Sequence, residues 1–222
     1  MKRNRLLWTG IGFLLLFVLW TVLIQCVDVQ AAGPRDTKVG FASLNTRFHN
    51  LTGENMTLYT ITDWLGLVPI AICGCFGIIG LSQWIRRKKL LQVDRDILIL
   101  GVYYLVVIAC YLLFEMIPIN YRPVLIDGNL EASYPSSTTL LVLSVMPTLV
   151  FQANRRCGDR TLRYTAVLSA VLFSVFMVAG RLVSGVHWLT DIAGSVILSA
   201  GLFLLYCAAV AYADQKKAET GL

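Results

Sequence analysis

The chain is short of charge and almost devoid of histidine. Of its 222 residues only 14% are charged, and two are histidines, His49 and His187. So little charge beside 57% hydrophobic residues argues against a soluble domain, which could not hide that much apolar surface in one core. A bilayer can accept it. The cysteines do not make good the shortage of metal ligands. Cys26, Cys73, Cys75, Cys110, Cys157 and Cys207 fall mostly inside apolar runs, without disulfide or zinc spacing. No metal or other cofactor is implied. Long polar linkers are missing too, so residues 1–222 read as one membrane domain. The net charge of +6 does not point to nucleic acid; it points to basic loops held on the cytoplasmic side of a membrane.

What the chain has is long apolar runs. They predict spans at 6–24, 64–84, 97–117, 136–151, 164–183 and 188–211, an all-α bundle of six transmembrane helices. The first run follows Lys2-Arg3-Asn4-Arg5 and could imitate a signal peptide. At about 19 residues it exceeds the ~7–15 of a signal core, which favours a retained helix. Residues 27–60 read as a polar outer segment. Within it Phe41, Leu44, Phe48 and Leu51 recur at helical spacing, the pattern of a short helix lying in the membrane surface.

Orientation follows from lysine and arginine. With both termini cytoplasmic, only Arg35, Lys38, Arg47, Arg122 and Arg181 of the 19 basic residues fall outside. Trp64 and Trp188 then mark outer boundaries and Trp8 and Trp84 inner ones. Asn50 and Asn55 open glycosylation sequons, which matter only in a secretory-pathway host.

Three polar segments share the predicted outer face: Tyr121-Arg122-Pro123, Tyr134-Pro135-Ser136-Ser137-Thr138, and Gly180-Arg181 with His187 and Asp191. His187 and Asp191 are spaced to share a helix face, so the carboxylate could fix the imidazole tautomer and leave the other nitrogen free to attack. Pro135 suits a first helical turn. Ser136, Ser137 and Thr138 would then offer hydroxyls and free N–H groups at a helix start, which binds phosphate. Arg122 and Arg181 supply forks matched to phosphate oxygens. A charge at the boundary of an apolar run, as at Arg181, is costly and usually functional.

Together the three segments resemble the type-2 phosphatidic acid phosphatase family, integral-membrane relatives of the vanadium haloperoxidases. That family shows Lys, six residues, then Arg-Pro; Pro-Ser-Gly-His; and Ser-Arg, five residues, His, three residues, Asp. Arg122-Pro123, Pro135-Ser136, and Arg181, His187 and Asp191 match in order and spacing. The resemblance implies a lipid phosphatase with six spans and an active site on the non-cytoplasmic side. His187 would be the nucleophile, Asp191 its orienting partner, and Arg122, Arg181, Ser136 and the N–H of Ser137 the phosphate cradle. Four positions depart from the pattern. Glu115 stands for the lysine, Ser137 for glycine, Gly180 for the serine before arginine, and Thr138 for the histidine that protonates the leaving group.

General acid help is worth roughly 100- to 10,000-fold. It matters most for a strongly basic alkoxide and least for a departing phosphate, whose second pKa is ~6. The expectation is therefore a phosphatase acting on a lipid mono- or diphosphate through a phosphohistidine, and favouring diphosphates. Glu115 and His49 are the candidates for a replacement acid. The alternatives are a weak or inactive phospholipid-binding protein and a phospholipid phosphotransferase. The sequence carries no signal of oligomeric state.

Overall fold

The computed structural model describes residues 2–220. Helix α1 (Lys2–Cys26) leads to a short antiparallel pair, β1 (Gln30–Ala31) and β2 (Lys38–Val39). Then come α2 (Ala42–Thr52), α3 (Met56–Leu65), α4 (Leu67–Arg87), α5 (Arg95–Met116), α6 (Ser137–Arg156), α7 (Arg160–Val183) and α8 (Leu189–Thr220). Among the described residues six helical stretches are long and apolar enough to cross a membrane, with α3 and α4 forming one of them. The architecture is an all-α, six-span transmembrane bundle.

Apolar side chains face outward as well as inward, because lipid replaces water around the bundle. On α1, Leu15, Val18 and Val22 are exposed while Phe17 and Ile24 are buried. This helix packs along α8, where Gly10 and Gly201 let the two backbones come close. The central helix is α6, which touches α4, α5, α7 and α8. Its buried polar groups find partners across the bundle. Tyr103 donates to the Ser144 carbonyl at 3.0 Å, the Tyr104 and Thr148 hydroxyls meet at 2.7 Å, and Gln152 donates to the Tyr206 oxygen at 2.8 Å. Pro147 sits inside α6 without ending it, as buried membrane helices allow.

Two features differ from the sequence expectation. The polar outer segment stops short of residue 60, because α3 begins at Met56 and runs on into α4 with a break at Gly66. The threonines that made this stretch look polar turn inward on their own helix: Thr60 and Thr62 donate to the carbonyls of Met56 and Leu58. And α2 is tied to the bundle through a buried polar contact. Asn45 donates to the Gly40 carbonyl at 2.8 Å and to the Thr190 hydroxyl at 2.9 Å, which clamps α2 against the start of α8.

The two ends of the bundle carry different chemistry. Where α4, α6 and α8 end and α5 begins, Arg87, Arg155 and Arg156 pair with Asp94, Asp96 and Asp214. At the opposite end, where α5 and α7 finish and α6 and α8 start, the three motif segments converge.

Candidate active site

The link between α5 and α6 is a small hairpin. Tyr121 bridges Ala132 and Ile126 bridges Asn129. At its tip Asp127 and Gly128 both take positive φ, 49° and 77°, the conformation a tight two-residue hairpin turn demands. Register in this hairpin sets the site. The Arg122 N–H donates to the Glu131 carbonyl at 3.1 Å, and the Ser133 N–H donates to the Asn120 carbonyl at 2.9 Å. One hairpin thus delivers Asn120, Arg122, Glu131 and Ser133 together.

His187 lies in the connection between α7 and α8 and is 3% exposed. Nearby Gly185 takes φ +71 and its backbone abuts the Gly53 carbonyl, a place only glycine fits without strain. The imidazole Nδ1 lies 3.2 Å from both the Ser133 carbonyl and the Ser133 hydroxyl, and Nε2 lies 3.2 Å from Nη2 of Arg181. A guanidinium can only donate. Nε2 is therefore the lone-pair nitrogen, and Nδ1 carries the proton held by Ser133. Burial first, then the charges of Arg122 and Arg181, hold His187 well below the usual imidazole pKa. The ring is neutral, with its nucleophilic nitrogen turned toward the arginines.

Asp191 does not bond the imidazole directly. Its Oδ2 stands 3.9 Å from Nδ1, and the Ser133 hydroxyl, which donates to Oδ2, lies between them. The reason is local: α8 starts at Leu189, so the helical spacing read into the sequence does not extend back to position 187. Asp191 caps the helix instead, accepting the Trp188 N–H at 3.0 Å as in a capping box. Asn120 donates to its other oxygen at 3.3 Å. Three donors thus fix a fully buried carboxylate.

Arg122 and Arg181 meet over one aromatic ring. Their guanidinium carbons lie 5.7 and 4.9 Å from the centre of Tyr59 on α3, within cation–π range. Arg181 is completely buried, with Nη1 3.5 Å from Asp63. Arg122 approaches Glu131 at 3.1 Å, but the pair is poorly aligned. Nε and Nη1 of Arg122 and Nε of Arg181 have no hydrogen-bond partner. Two buried cations with open N–H groups beside a neutral imidazole make a setting that favours an anion.

The serine segment behaves differently from expectation at two positions. Pro135 precedes the N-cap, so it is outside the first turn of α6. Ser136 is that N-cap, and its groups are occupied. Its hydroxyl donates to Thr139 at 3.1 Å, its N–H to the Asp191 carbonyl at 3.4 Å, and its carbonyl accepts from Ser195 at 2.9 Å. Ser136 thereby ties α6 to α8. Ser137 and Thr138 open the helix and are half-buried, and first-turn N–H groups have no partner within a helix.

Glu115 is exposed near the end of α5 and lines a narrow cleft with Ser133, Ser137 and His187. His49 is turned elsewhere. Its ring lies 5.7 Å from that of Trp188, with Nε2 3.8 Å from Glu54. No group of histidine, cysteine or carboxylate residues with metal-binding geometry occurs among the described residues.

Five site residues were not legible beforehand: Tyr59, Asp63, Asn120, Glu131 and Ser133. Asn120 and Ser133 flank the motif segments. Asp63 carried a signal, since it is a carboxylate next to Trp64 at the edge of an apolar run, where ionisable residues are rarely idle. Tyr59 carried none.

Comparison with known proteins bears on the fold and the family. No curated protein matches the chain. The fold is similar to the crystal structure of the first transmembrane PAP2 type phosphatidylglycerolphosphate phosphatase from Bacillus subtilis. Identity is 17%, the TM-score is 0.55, and the match covers 89% of this chain and 94% of that one. The family model of the PAP2 superfamily matches residues 103–215, a stretch that holds the hairpin, α6, α7 and the imidazole with its arginines. The chain is a multi-pass membrane protein that belongs to the PAP2 superfamily.

Proposed function

We propose that this chain is a lipid phosphatase that removes phosphate from a lipid mono- or diphosphate through a phosphohistidine at His187. The observation that carries the reading is the placement of the two imidazole nitrogens. Nδ1 is held by Ser133, and Nε2 meets Arg181, which with Arg122 forms a pair of buried arginines with unpartnered N–H groups. A phosphate dianion there would accept from Arg122, Arg181 and the first turn of α6, which leaves phosphorus facing the Nε2 lone pair. Asp191, acting through Ser133, stabilises the imidazolium that develops on attack. A headgroup-binding protein would need the arginines alone. The neutral, oriented imidazole favours chemistry.

A lipid substrate is supported by the space beside the site. A cavity of about 520 Å³ lies between α4, α5 and α6. Ile70, Val107, Ile108 and Leu141 form its apolar walls, and Asp63, Ser137 and Thr138 stand at its polar end. A chain lying in the bilayer could enter there with its phosphate at the arginines. The orientation follows from charge: the end rich in Arg87, Arg155 and Arg156 is cytoplasmic, with both termini, and the site opens on the other side of the cell membrane. Diphosphates are the easier substrates, because a departing phosphate needs little help while a departing alkoxide needs a proton that Thr138 cannot supply and another group would have to give.

The test is phosphate release from lipid mono- and diphosphates by the purified protein in detergent, with His187→Ala as control. Release that depends on His187 and is faster for the diphosphate supports the proposal. Equal release by His187→Ala rejects it.

A further inference from the structure

Alkoxide release from a lipid monophosphate requires a proton, and Thr138 has none to give on the needed scale. The geometry points to Asp63 as the residue that supplies it, an inference that rests on the phosphatase reading above.

Arg181 links the two groups concerned. Its Nη2 lies 3.2 Å from the attacking nitrogen of His187, and its Nη1 lies 3.5 Å from Oδ1 of Asp63. A phosphate seated on the terminal nitrogens of Arg181 therefore has the imidazole near one and the carboxyl near the other. In-line displacement needs nucleophile and leaving oxygen on opposite sides of phosphorus. Asp63 also opens onto the apolar cavity that holds Thr138 and Ser137, and its side chain is 57% exposed. The lipid oxygen must leave in the direction of the lipid chain, and that is where this carboxyl stands.

Two departures from the family motifs adjoin α3 and its junction with α4. Gly180 stands where the motif has serine, and a Cβ there would lie 2.7 Å from Cγ2 of Thr62. The missing side chain lets α3 press against α7, which seats Tyr59 over the arginines and Asp63 beside Arg181. Thr138 stands where the motif has histidine, and its methyl group lies against Gly66, at the junction of α3 and α4. The helix that brings in the carboxyl borders the position where the imidazole is missing. Glu115 contacts neither arginine.

Proton and electron pairs balance. Nε2 forms the N–P bond as the P–O bond to the lipid breaks, and the Asp63 proton passes to the departing oxygen. The carboxylate then takes a proton from the water that attacks phosphorus. The N–P pair returns to Nε2, and inorganic phosphate leaves. Arg181 and Tyr59 interact with Asp63, and Cys73, Tyr104 and Tyr111 are the other titratable groups on the cavity onto which it opens. An arriving phosphate competes with Asp63 for Arg181.

The experiment compares an alkyl monophosphate, whose leaving group needs a proton, with nitrophenyl phosphate, whose leaving group does not. Asp63→Asn should lose about 100-fold or more in kcat on the alkyl substrate and keep the aryl activity within a few-fold, while Asp63→Glu recovers part of the alkyl rate. His187→Ala should abolish both, so failure of the phosphatase reading appears separately. Equal loss on both substrates with an unchanged unfolding midpoint overturns the assignment, as does the selective loss appearing in Glu115→Gln instead. Should Asp63→Asn not fold, the wild-type protein decides through a series of leaving groups. A shallow dependence of kcat/KM on leaving-group basicity supports an acid at this position, and a steep one overturns it.

Discussion

Nε2 of His187 and Nη2 of Arg181 stand 3.2 Å apart, so in the resting protein the arginine donates to the lone pair that attacks phosphorus in the proposed reaction. In that reaction substrate has to draw the donor away. Binding and activation are then one event, because the phosphate that engages Arg181 also uncovers the proposed nucleophile. Removal of the fully buried Arg181 should hurt more than removal of Arg122. Arg181→Ala is expected to weaken competitive inhibition by vanadate, a phosphate mimic, by about 10- to 100-fold, as charged hydrogen bonds worth ~1.5–3 kcal/mol would. Arg122→Ala should weaken it less. Inhibition constants in detergent check the order.

The buried imidazole also sets a pH dependence of stability. Burial and two arginine charges lower its pKa below the ordinary value, so the unfolded chain binds a proton that the native state refuses. Stability is then complete above pH ~6.5, the unfolded histidine value, and falls as the pH drops below it. Unfolding midpoints between pH 7.5 and 5 should show this decline. His187→Gln should flatten the part of it that His187 causes.

Much of this could be read from the residues, and the limits have physical causes. Six apolar runs and three polar segments are local properties, and they were enough to expect a six-span bundle and to single out Arg122, Arg181, His187 and Asp191, which the fold gathers at one end of the bundle. What could not be read is what only folding brings together. Asp63 and Arg181 are 118 residues apart in sequence, and their meeting depends on the close approach of α3 to α7 at Gly180. The Ser133 hydroxyl enters between His187 and Asp191 because hairpin register puts it there, and the sequence marks only the turn at Asp127-Gly128. N-cap serines and anion-binding serines have the same local pattern, so the sequence could not show that Ser136 bonds Thr139 and Ser195 and ties α6 to α8.

Ser133 gives a sharp test of the relay. Ser133→Ala keeps the backbone carbonyl that holds Nδ1 but removes the hydroxyl that bonds Asp191. Loss of such an orienting partner is expected to lower kcat by roughly 10- to 100-fold, by analogy with the supporting groups of metal-bound histidines, with little change in KM. Steady-state kinetics on one lipid diphosphate suffices. A rise in KM at constant kcat would place Ser133 in binding instead.

Close packing of α3 on α7 predicts a compensating pair. Gly180→Ala should destabilise the protein by about 1–3 kcal/mol through overpacking against Thr62. Thr62→Ser removes the methyl group in question, and the double variant should recover part of that loss, a coupling expected of residues in contact. Thermal midpoints of the four proteins in one detergent measure it.

The most direct measurement is rapid quenching of the protein with a lipid diphosphate carrying labelled terminal phosphate, followed by mapping of protein-bound label. Acid-labile, alkali-stable label on the peptide that contains His187, absent from His187→Ala, is the predicted result. Turnover that proceeds without label at His187, or that persists in His187→Ala, would contradict the account.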